Sequence, residues 1–229
     1  LASLLQLKSL SLYDTHVTDV GLEPLHSLTS LETIQLISPQ ITDAALFHLR
    51  DLPKLKTVKI NGPQIGDAGL AHLSELPHLQ NLNLRETGVT HEGLIHLKSL
   101  TNLRSLNLWL TQTSDAGLAH LANLVDLEEL ILLETQVTDE GLAYLKDMKK
   151  LQNLQLRGPT ITDAGVIHLK SLKNIRELNL LETRITDKSL DYLQSLGNLR
   201  QLYVGATGVT QEGVRKFCKS LPQVEVVSK

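Results

Sequence analysis

The chain has 229 residues, of which 41% are hydrophobic and 21% charged, a composition typical of a folded globular protein and not of a disordered one. The 22 Lys and Arg residues against 25 Asp and Glu give a net charge of −3 with no basic block, which argues against nucleic acid as a partner, because phosphate binding needs a clustered cationic surface. The single cysteine, Cys218, excludes an intrachain disulfide, and no apolar run reaches the roughly 18 residues of a membrane span.

A repeat of 24 residues runs through the chain. Three apolar positions begin at Leu7, Leu10 and Leu12 and recur every 24 residues up to 199, 202 and 204, with no insertion or deletion. Chance does not produce such a series, which is typical of stacked structural units. We therefore predict a single domain over residues 1–229, built from about nine repeats.

The N-terminal residues are predicted to be the end of a helix. Leu1 and Leu4 stand 24 residues before Leu25 and Leu28, which belong to the second half of a repeat. We therefore expect the N-terminus to be cut inside a preceding repeat. The chain starts without an initiator Met or a signal peptide, so its localisation stays open.

Each repeat is predicted to contain a short strand, a loop and a short helix. The stretch Leu-x-x-Leu-x-Leu ends in a period-2 segment, typical of a strand with one buried face. In the first repeat, Leu22, Leu25 and Leu28 then form one stripe of a helix. The preceding Thr18-Asp19 is an N-cap signal, so we expect an oxygen of either residue to accept N–H groups of the first helical turn. Neither element can bury its apolar face alone, so neighbouring repeats must stack to close a core.

Over the entire chain, these motifs resemble the leucine-rich repeat family. The second half of each repeat, Thr-Asp-x-Gly-Leu-x-x-Leu-x-x-Leu, looks like the 24-residue repeats of many bacterial proteins. It is also similar to ribonuclease-inhibitor-like repeats and to the cysteine-containing repeats of F-box proteins. The resemblance implies an α/β fold, a right-handed solenoid shaped like a horseshoe. Its parallel sheet would line the concave face and its short helices the convex face.

One position departs from the family pattern. Where the family usually carries Asn or Cys after the strand, this chain mostly has Thr, as at Thr87 and Thr111. We expect the hydroxyl to satisfy loop backbone groups of the neighbouring turn. Pro39, Pro63 and Pro159 lack a hydroxyl, so the loop should differ there.

The histidines suggest a metal site, but their spacing argues against one. His91 and His96 flank a Glu much as in a zinc-protease motif, yet five residues place two imidazoles about 140° apart on a helix. A column of five histidines also contains Tyr144 and Tyr192, and Tyr replaces a zinc ligand poorly. The column members are His48, His72, His96, His120 and His168. We predict half-buried rings that fill space, no metal, no cofactor and no catalytic group, with Cys218 as a surface thiol.

The strand positions that alternate with the core leucines should face out of the sheet. In the central repeats they place apolar side chains between arginines, and three strand spacings of about 4.8 Å put Arg85 roughly 14–15 Å from Arg157. An apolar centre with a charged rim is the composition of a protein-binding site. Sequence drift, a homodimer contact or packing under a loop are the alternatives. The predicted site comprises Arg85, Trp109, Leu110, Ile131, Leu133, Glu134, Arg157, Leu181 and Tyr203.

The C-terminal residues imitate one last strand. Leu221, Val224 and Val227 supply apolar residues as the earlier strands do, and Pro222 ends the preceding helix. We therefore predict a capping strand within residues 221–229.

The function predicted from these features is a non-enzymatic module that binds a protein or peptide on the concave face. One alternative is the substrate-recognition domain of a larger signalling or ubiquitin-ligase-type protein. The other is a surface glycan-binding protein, which the outward-facing Asn83, Asn107 and Asn179 would permit.

Overall fold

Ten strands form one parallel sheet in which neighbours in the chain are neighbours in space. The computed structural model describes residues 4–228. Paired residues are 24 positions apart in every pair, as Leu10 with Ile34 and Leu154 with Leu178 show. The sequence period thus sets the register of the sheet. The strands are β1 Ser9–Tyr13, β2 Thr33–Ile37, β3 Thr57–Asn61, β4 Asn81–Asn83, β5 Ser105–Asn107, β6 Glu129–Ile131, β7 Asn153–Arg157, β8 Glu177–Leu181, β9 Gln201–Tyr203 and β10 Glu225–Val227.

Short helical segments connect the strands, and several are 3-10 rather than α-helical. Leucines three residues apart suit the 3-10 geometry, which has three residues per turn, and this explains the mixture. The α-helices are α1 Asp43–Phe47, α2 Asp67–Leu73, α3 Asp115–Leu121, α4 Asp139–Leu142, α5 Asp163–Val166, α6 Asp187–Leu193 and α7 Gln211–Ser220. The 3-10 segments are Val20–Ser27, Gly93–Leu97, Ala143–Leu145 and Ile167–Ser171.

Between the sheet and the helical segments lies one continuous aliphatic core. Strand residues such as Leu106 and helix residues such as Leu118 are fully buried in it, and Phe217 is its one aromatic side chain within residues 4–228. At the first strand the corresponding residues Leu10 and Leu12 are only half-buried, because β1 has a neighbour on one side only.

The residues before β1 follow the repeat as far as the structure describes them. Leu1 lies outside the described residues. The N–H of Leu7 donates to the Leu4 carbonyl at 2.9 Å, as the N–H of Leu31 does to the Leu28 carbonyl one repeat later. Leu4 thus occupies the turn that follows a helical segment in the other repeats.

The Thr-Asp pairs have two separate roles. The Thr hydroxyl oxygen caps its own helix in several repeats, as Thr162 does by accepting the N–H of Ala164 at 3.1 Å. The cap predicted at Thr18-Asp19 is wrong, because the Asp19 carboxylate makes no bond to its own helix. The Asp carboxylate instead reaches the next repeat, where Asp139 accepts the N–H of Thr162 at 2.7 Å and its hydroxyl at 2.6 Å. We call this series of carboxylate contacts the Asp ladder. Its complete pairs are Asp19–Thr42, Asp67–Thr90, Asp115–Thr138, Asp139–Thr162, Asp163–Thr186 and Asp187–Thr210.

The glycine that stands two residues after the ladder position in most repeats makes room for the ladder, although Ala45 holds this position in one of them. A Cβ on Gly165 would overlap the Asp139 carboxylate of the preceding repeat. Ser189 occupies the same position in a later repeat, and its hydroxyl donates to Asp163 Oδ1 at 2.5 Å. The position therefore accepts only a residue that leaves the carboxylate in place or bonds to it.

The Asp ladder is interrupted where His91 replaces the Asp. Ser114 stands where the next Thr would be, and no carboxylate within residues 4–228 caps its N–H. A Cβ on Gly117 would meet His91 and Leu94 here instead of a carboxylate. The contact between these two repeats thus lacks a bond that its neighbours have.

The loop after the strand differs in part from the prediction. The Thr hydroxyls donate to a carbonyl of their own repeat, as Thr87 does to Leu84 at 2.6 Å and Thr111 to Leu108 at 2.8 Å, so the predicted bond to the neighbouring turn is wrong. The geometry explains this, because the hydroxyl closes a turn of only three residues. The predicted difference at the prolines is confirmed. Before Pro63 and Pro159, Gly62 and Gly158 adopt φ of 136° and 112°, whereas the residues at this position without a following Pro have φ of 52–58°.

The final strand is shifted by one residue from the prediction. Val226 pairs with Leu202 and takes the core position, whereas Val227 pairs with Tyr203 on the outer face. The prediction for Val227 is therefore wrong. Leu221 and Val224 are buried, but they lie before the strand, which begins at Glu225 and keeps the 24-residue register of the sheet.

Candidate functional site

In each repeat, the concave face is formed by three alternate outward-pointing positions, in and just after the strand, and by the residue that follows them. We call these positions the unit of that strand. In the unit of β6 these are Glu129, Ile131, Leu133 and Glu134. The side chains between them, Leu130 and Leu132, are buried, so the alternation predicted from sequence holds.

The Trp109 ring forms a cation–π contact with Arg85 of the preceding repeat. The Arg85 Cζ lies 4.1 Å from the ring centroid, and its Nε donates to Glu86 Oε1 at 2.6 Å. The Trp109 N–H donates to Asn107 Oδ1 at 2.9 Å, which orients the backbone. The indole is therefore half-buried and not fully exposed, because the guanidinium covers one of its faces.

Leu110 projects from a left-handed backbone position just past Trp109. Its φ is 54°, its N–H donates to the Leu133 carbonyl at 2.9 Å, and 53% of the residue is exposed. This conformation costs an L-residue roughly 1–2 kcal/mol. The sequence pattern did not predict this left-handed conformation, although Glu86, Glu134 and Glu182 adopt it at the same repeat position, at intervals of 24 or 48 residues.

A second charged cluster surrounds Arg157 at the end of β7. Its Nη1 lies 3.3 Å from Glu134 Oε1, its Nε donates to Glu182 Oε2 at 3.0 Å, and its Nη2 also pairs with Glu182. The hydrogen bond to Glu182 raises the pKa of Arg157, and the same bond lowers the pKa of Glu182. Glu182 was missed as a site residue, although it stands at the same repeat position as Glu134.

Aliphatic side chains lie between the two clusters and, in the case of Leu181, on the strand beyond Arg157. Leu133 and Leu181 are half-buried at the strand ends, and Ile131 is half-buried one position before the last core leucine of its repeat. We call the surface formed by this outward position and the one before it the floor of the concave face. Tyr203 is not part of this group. It lies on β9 at the same repeat position as Ile131, and its hydroxyl contacts Gln201 Oε1 at 3.5 Å. The structure thus places eight of the nine predicted residues on β4 to β8 and the loops that follow them, and Tyr203 on the neighbouring strand β9.

The floor at the start of the strands holds two carboxylates that the prediction omitted. Glu129 accepts hydrogen bonds from Ser105 Oγ at 2.6 Å and Asn153 Nδ2 at 3.1 Å. Glu177 accepts one from Gln155 Nε2 at 2.9 Å. The period-2 alternation could have identified both, since they precede the core leucine of their strand by one residue.

A shallow depression of ≈ 360 Å³ lies on the floor over β3 to β6. Its wall includes Lys59 at one end and Glu129 with Ile131 at the other, and the lining between them is polar. The depression is open to solvent along the face of the sheet.

The histidine column lies on the other side of the solenoid. Its rings are half-buried, and that of His72 packs edge-to-face on Phe47 with centroids 5.5 Å apart. Within residues 4–228, no three His, Cys, Asp or Glu side chains come together as metal ligands would. Cys218 is half-buried on α7. In the same part of the chain, no helix has both the length and the apolarity needed to cross a membrane.

Comparison with known proteins gives structural similarity without a close relative in sequence. No protein-family model matches the chain, and no curated protein matches it. The crystal structure of an internalin (InlF) from Listeria monocytogenes is similar over 100% of this chain and 69% of its own, with 20% identity and a TM-score of 0.69. Internalin C2 from the same species gives 23% identity and a TM-score of 0.62 over 96% of this chain and 80% of its own.

Two receptor complexes are also similar in structure. TLR13 in its complex with ssRNA13 gives 21% identity and a TM-score of 0.74 over 100% of this chain, but 33% of its own. A plant peptide hormone receptor, RGFR1, in complex with RGF2 gives 14% identity and a TM-score of 0.58 over 98% of this chain and 34% of its own. The internalins and TLR13 are leucine-rich repeat proteins. At this level of identity the similarity establishes the fold, which is the α/β leucine-rich repeat horseshoe with its parallel sheet on the concave side.

Proposed function

We propose that the chain is a non-enzymatic recognition module that binds a protein or peptide on the concave face of repeats four to eight. The observation that carries this proposal is the arrangement of Trp109, Leu133 and Leu181. Trp109 and Leu133 stand between two ion-pair clusters, one at Arg85 and one at Arg157, and Leu181 lies on the next strand beyond Arg157. Protein interfaces combine an aromatic or aliphatic centre with a polar rim in this way.

The conformation of Leu110 supports the same assignment. A leucine that is half-exposed in a left-handed conformation costs folding free energy twice, through its backbone and through its exposed apolar surface. The left-handed turn recurs in other repeats, as at Glu86 and Glu134, so what distinguishes Leu110 is its exposed apolar side chain. A binding role would explain why a leucine stands at a left-handed position where glycine would cost less folding free energy.

The charged groups of the surface favour binding over catalysis. Arg85 and Arg157 are each held by glutamates, and Glu129 and Glu177 by neutral hydrogen-bond donors. Such pairing fixes the side chains in position for a partner. Complexes of similar horseshoes with a peptide hormone and with ssRNA13 show that this fold is used for recognition.

The alternatives have weaker support. For a glycan-binding surface, the carbonyl oxygens of Asn83, Asn107 and Asn179 offer fewer free acceptor sites, because each already accepts the backbone N–H two residues ahead, at 3.0, 2.9 and 2.9 Å. The module would serve equally as the substrate-recognition domain of a larger signalling or ubiquitin-ligase-type protein. In either setting we propose that residues 1–229 act as one domain of about nine bacterial-type repeats, capped at 221–229.

Affinity capture with matched variants tests the proposal. Wild-type protein, the double variant Trp109→Glu, Leu133→Glu and the control Ile95→Glu, Val125→Glu would be immobilised and exposed to lysate of the source organism. Ile95 and Val125 are exposed hydrophobic residues outside the concave face, so the control carries the same change in charge. We expect a protein that wild type and control capture and that the concave variant loses.

The captured protein would be identified by mass spectrometry, purified and measured for direct binding. Equal affinity for wild type and the concave variant, when both melt at similar temperatures, would contradict the proposed site. Loss of binding in the control alone would move the site to the convex side.

A further inference from the structure

We infer that the partner presents a basic segment to the concave face, with Lys or Arg side chains beside an apolar anchor. This inference rests on the binding surface proposed above and adds the chemistry of its partner. The argument comes from the distribution of charge, which differs between the concave face and the rest of the molecule.

The concave face carries more negative charge than the chain as a whole. Its outward positions and the residue after each strand hold three cations and seven carboxylates, a net charge of −4. Because the whole chain has 22 cations and 25 anions, 19 and 18 remain elsewhere and nearly balance. The charged residues of the face are Lys59, Arg85, Arg157, Asp14, Glu86, Glu129, Glu134, Glu177, Glu182 and Glu225.

Most of this excess lies beside the apolar side chains. Four of the seven carboxylates belong to the units of β6 and β8, and a single cation, Arg157, lies between them. These units also carry Ile131, Leu133 and Leu181. Acidic and apolar groups therefore share one surface, and a partner that buries the apolar centre also brings its own charges close to the carboxylates.

The two floor carboxylates have no cation of their own. Glu134 and Glu182 pair with Arg157, whereas Glu129 and Glu177 accept hydrogen bonds only from neutral hydroxyl and amide groups within residues 4–228. They stand on strands two apart, so about 9.6 Å separates their backbones. Two basic side chains of one partner segment could each form a charge-assisted hydrogen bond with one of them.

The shape of the floor fits a basic side chain. Glu129 and Ile131 line the same end of the depression over β3 to β6. Lys and Arg combine an apolar stem with a cationic head, so one such side chain can contact the isoleucine and the carboxylate together. The same charges repel phosphate. TLR13, which is similar to this chain in shape, binds ssRNA13 in its complex, but the negative charge of this concave face is the wrong charge for RNA.

Selection from a peptide library tests the inference. Random peptides of about 12 residues, twice the roughly six extended residues that span β4 to β8, would be displayed on phage and selected on wild-type protein. Binders that also bind the Trp109→Glu, Leu133→Glu variant would be discarded. We expect the remaining peptides to carry a net positive charge, with two or more Lys or Arg near an aromatic or aliphatic residue.

Charge variants then locate the contact. A selected basic peptide should bind the Glu129→Gln, Glu177→Gln variant at least about fivefold more weakly than wild type, since hydrogen bonds to charged groups are among the stronger ones. The control Glu75→Gln, Glu92→Gln, which removes two exposed carboxylates outside the concave face, should leave affinity unchanged. Raising NaCl from about 50 mM to about 300 mM should weaken the wild-type complex several-fold.

Three results would overturn the inference. Peptides that depend on Trp109 and Leu133 but are neutral or acidic would leave the binding surface intact and refute the charge of its partner. Binding of single-stranded RNA that the Trp109→Glu, Leu133→Glu variant abolishes would do the same. If no selected peptide depends on those two residues, both the proposed function and this inference fail.

Discussion

The Asp ladder and the concave face use charged residues in opposite ways. In the ladder, a carboxylate recurs every 24 residues and bonds to the next repeat, as Asp139 does to Thr162. On the concave face the charges occupy fixed repeat positions in only some of the repeats, and Glu129 and Glu177, two repeats apart, keep unpaired negative charge toward solvent. In a repeat protein, periodic polar residues therefore indicate structure. Polar residues that break the period indicate where repeats differ in what they bind.

Truncation of a core leucine should have the largest effect and should act on stability alone. Leu106 is fully buried between β5 and the helical layer, so Leu106→Ala should cost about 2–5 kcal/mol in the free energy of unfolding. Urea denaturation would measure the loss. Affinity for a concave-face ligand, measured well below the melting temperature, should stay within about twofold of wild type if the two regions are independent.

Removing a ladder carboxylate should have the next largest effect. Asp139→Ala leaves the N–H and hydroxyl of Thr162 without their acceptor, which should cost about 1–3 kcal/mol. The control Asp147→Ala removes an exposed Asp outside the ladder and should change stability by less than about 0.5 kcal/mol. Equal losses in the two variants would show that the ladder does not stabilise the stack of repeats.

Completing the ladder should produce a gain. His91→Asp places a carboxylate opposite Ser114, and Gly117 already provides the space that it needs. We expect about 1 kcal/mol of added stability, the typical contribution of one such hydrogen bond. Thermal melts of wild type and variant would measure it. A loss of stability would mean that His91 makes a contact of its own that outweighs the missing bond.

Acid should weaken the ladder at Asp163. Burial raises the pKa of Asp163, but the hydrogen bonds that Ser189 and Thr186 donate outweigh burial and place the pKa below its ordinary value of 3.8. A lowered folded-state pKa contributes stability that is present above the unfolded pKa and is lost as pH falls through the folded one. Melting temperature should therefore fall below about pH 4. The variant Asp163→Asn should show a smaller fall, and identical profiles would contradict this role.

The sequence predicted the parts of the fold that depend on one repeat. Core positions such as Leu106 and the 24-residue register follow from the spacing of leucines, because each strand repeats the same alternation. The pairing of Asp139 with Thr162 was not predictable in this way, since it depends on how closely two loops approach in space. Val227 was misplaced because the prediction followed the three-residue spacing of Leu221 and Val224, whereas the strand keeps the 24-residue register, which places Val226 opposite Leu202.

For the candidate site, sequence identified which residues face outward but not how they interact. Trp109 was placed correctly, yet the cover by Arg85 follows from a rotamer choice that spacing does not determine. The left-handed conformation of Leu110 is a property of the turn. No residue type signals it in the sequence, since the same position holds Glu, Gly or Ala in other repeats. The alternation rule also places Glu129 and Glu177 on the outward face, at the position before the core leucine, which the predicted site does not include.

The most direct test of the division between the two regions is a paired measurement on Trp109→Ala. The indole is half-buried under a solvent-exposed guanidinium, so its loss should cost no more than about 1 kcal/mol, a shift of about 2–4 °C in melting temperature. Affinity for the captured protein or a selected basic peptide should fall by about tenfold or more, as expected for a central interface residue. A large fall in melting temperature with unchanged affinity would contradict the account and place Trp109 in the structural framework.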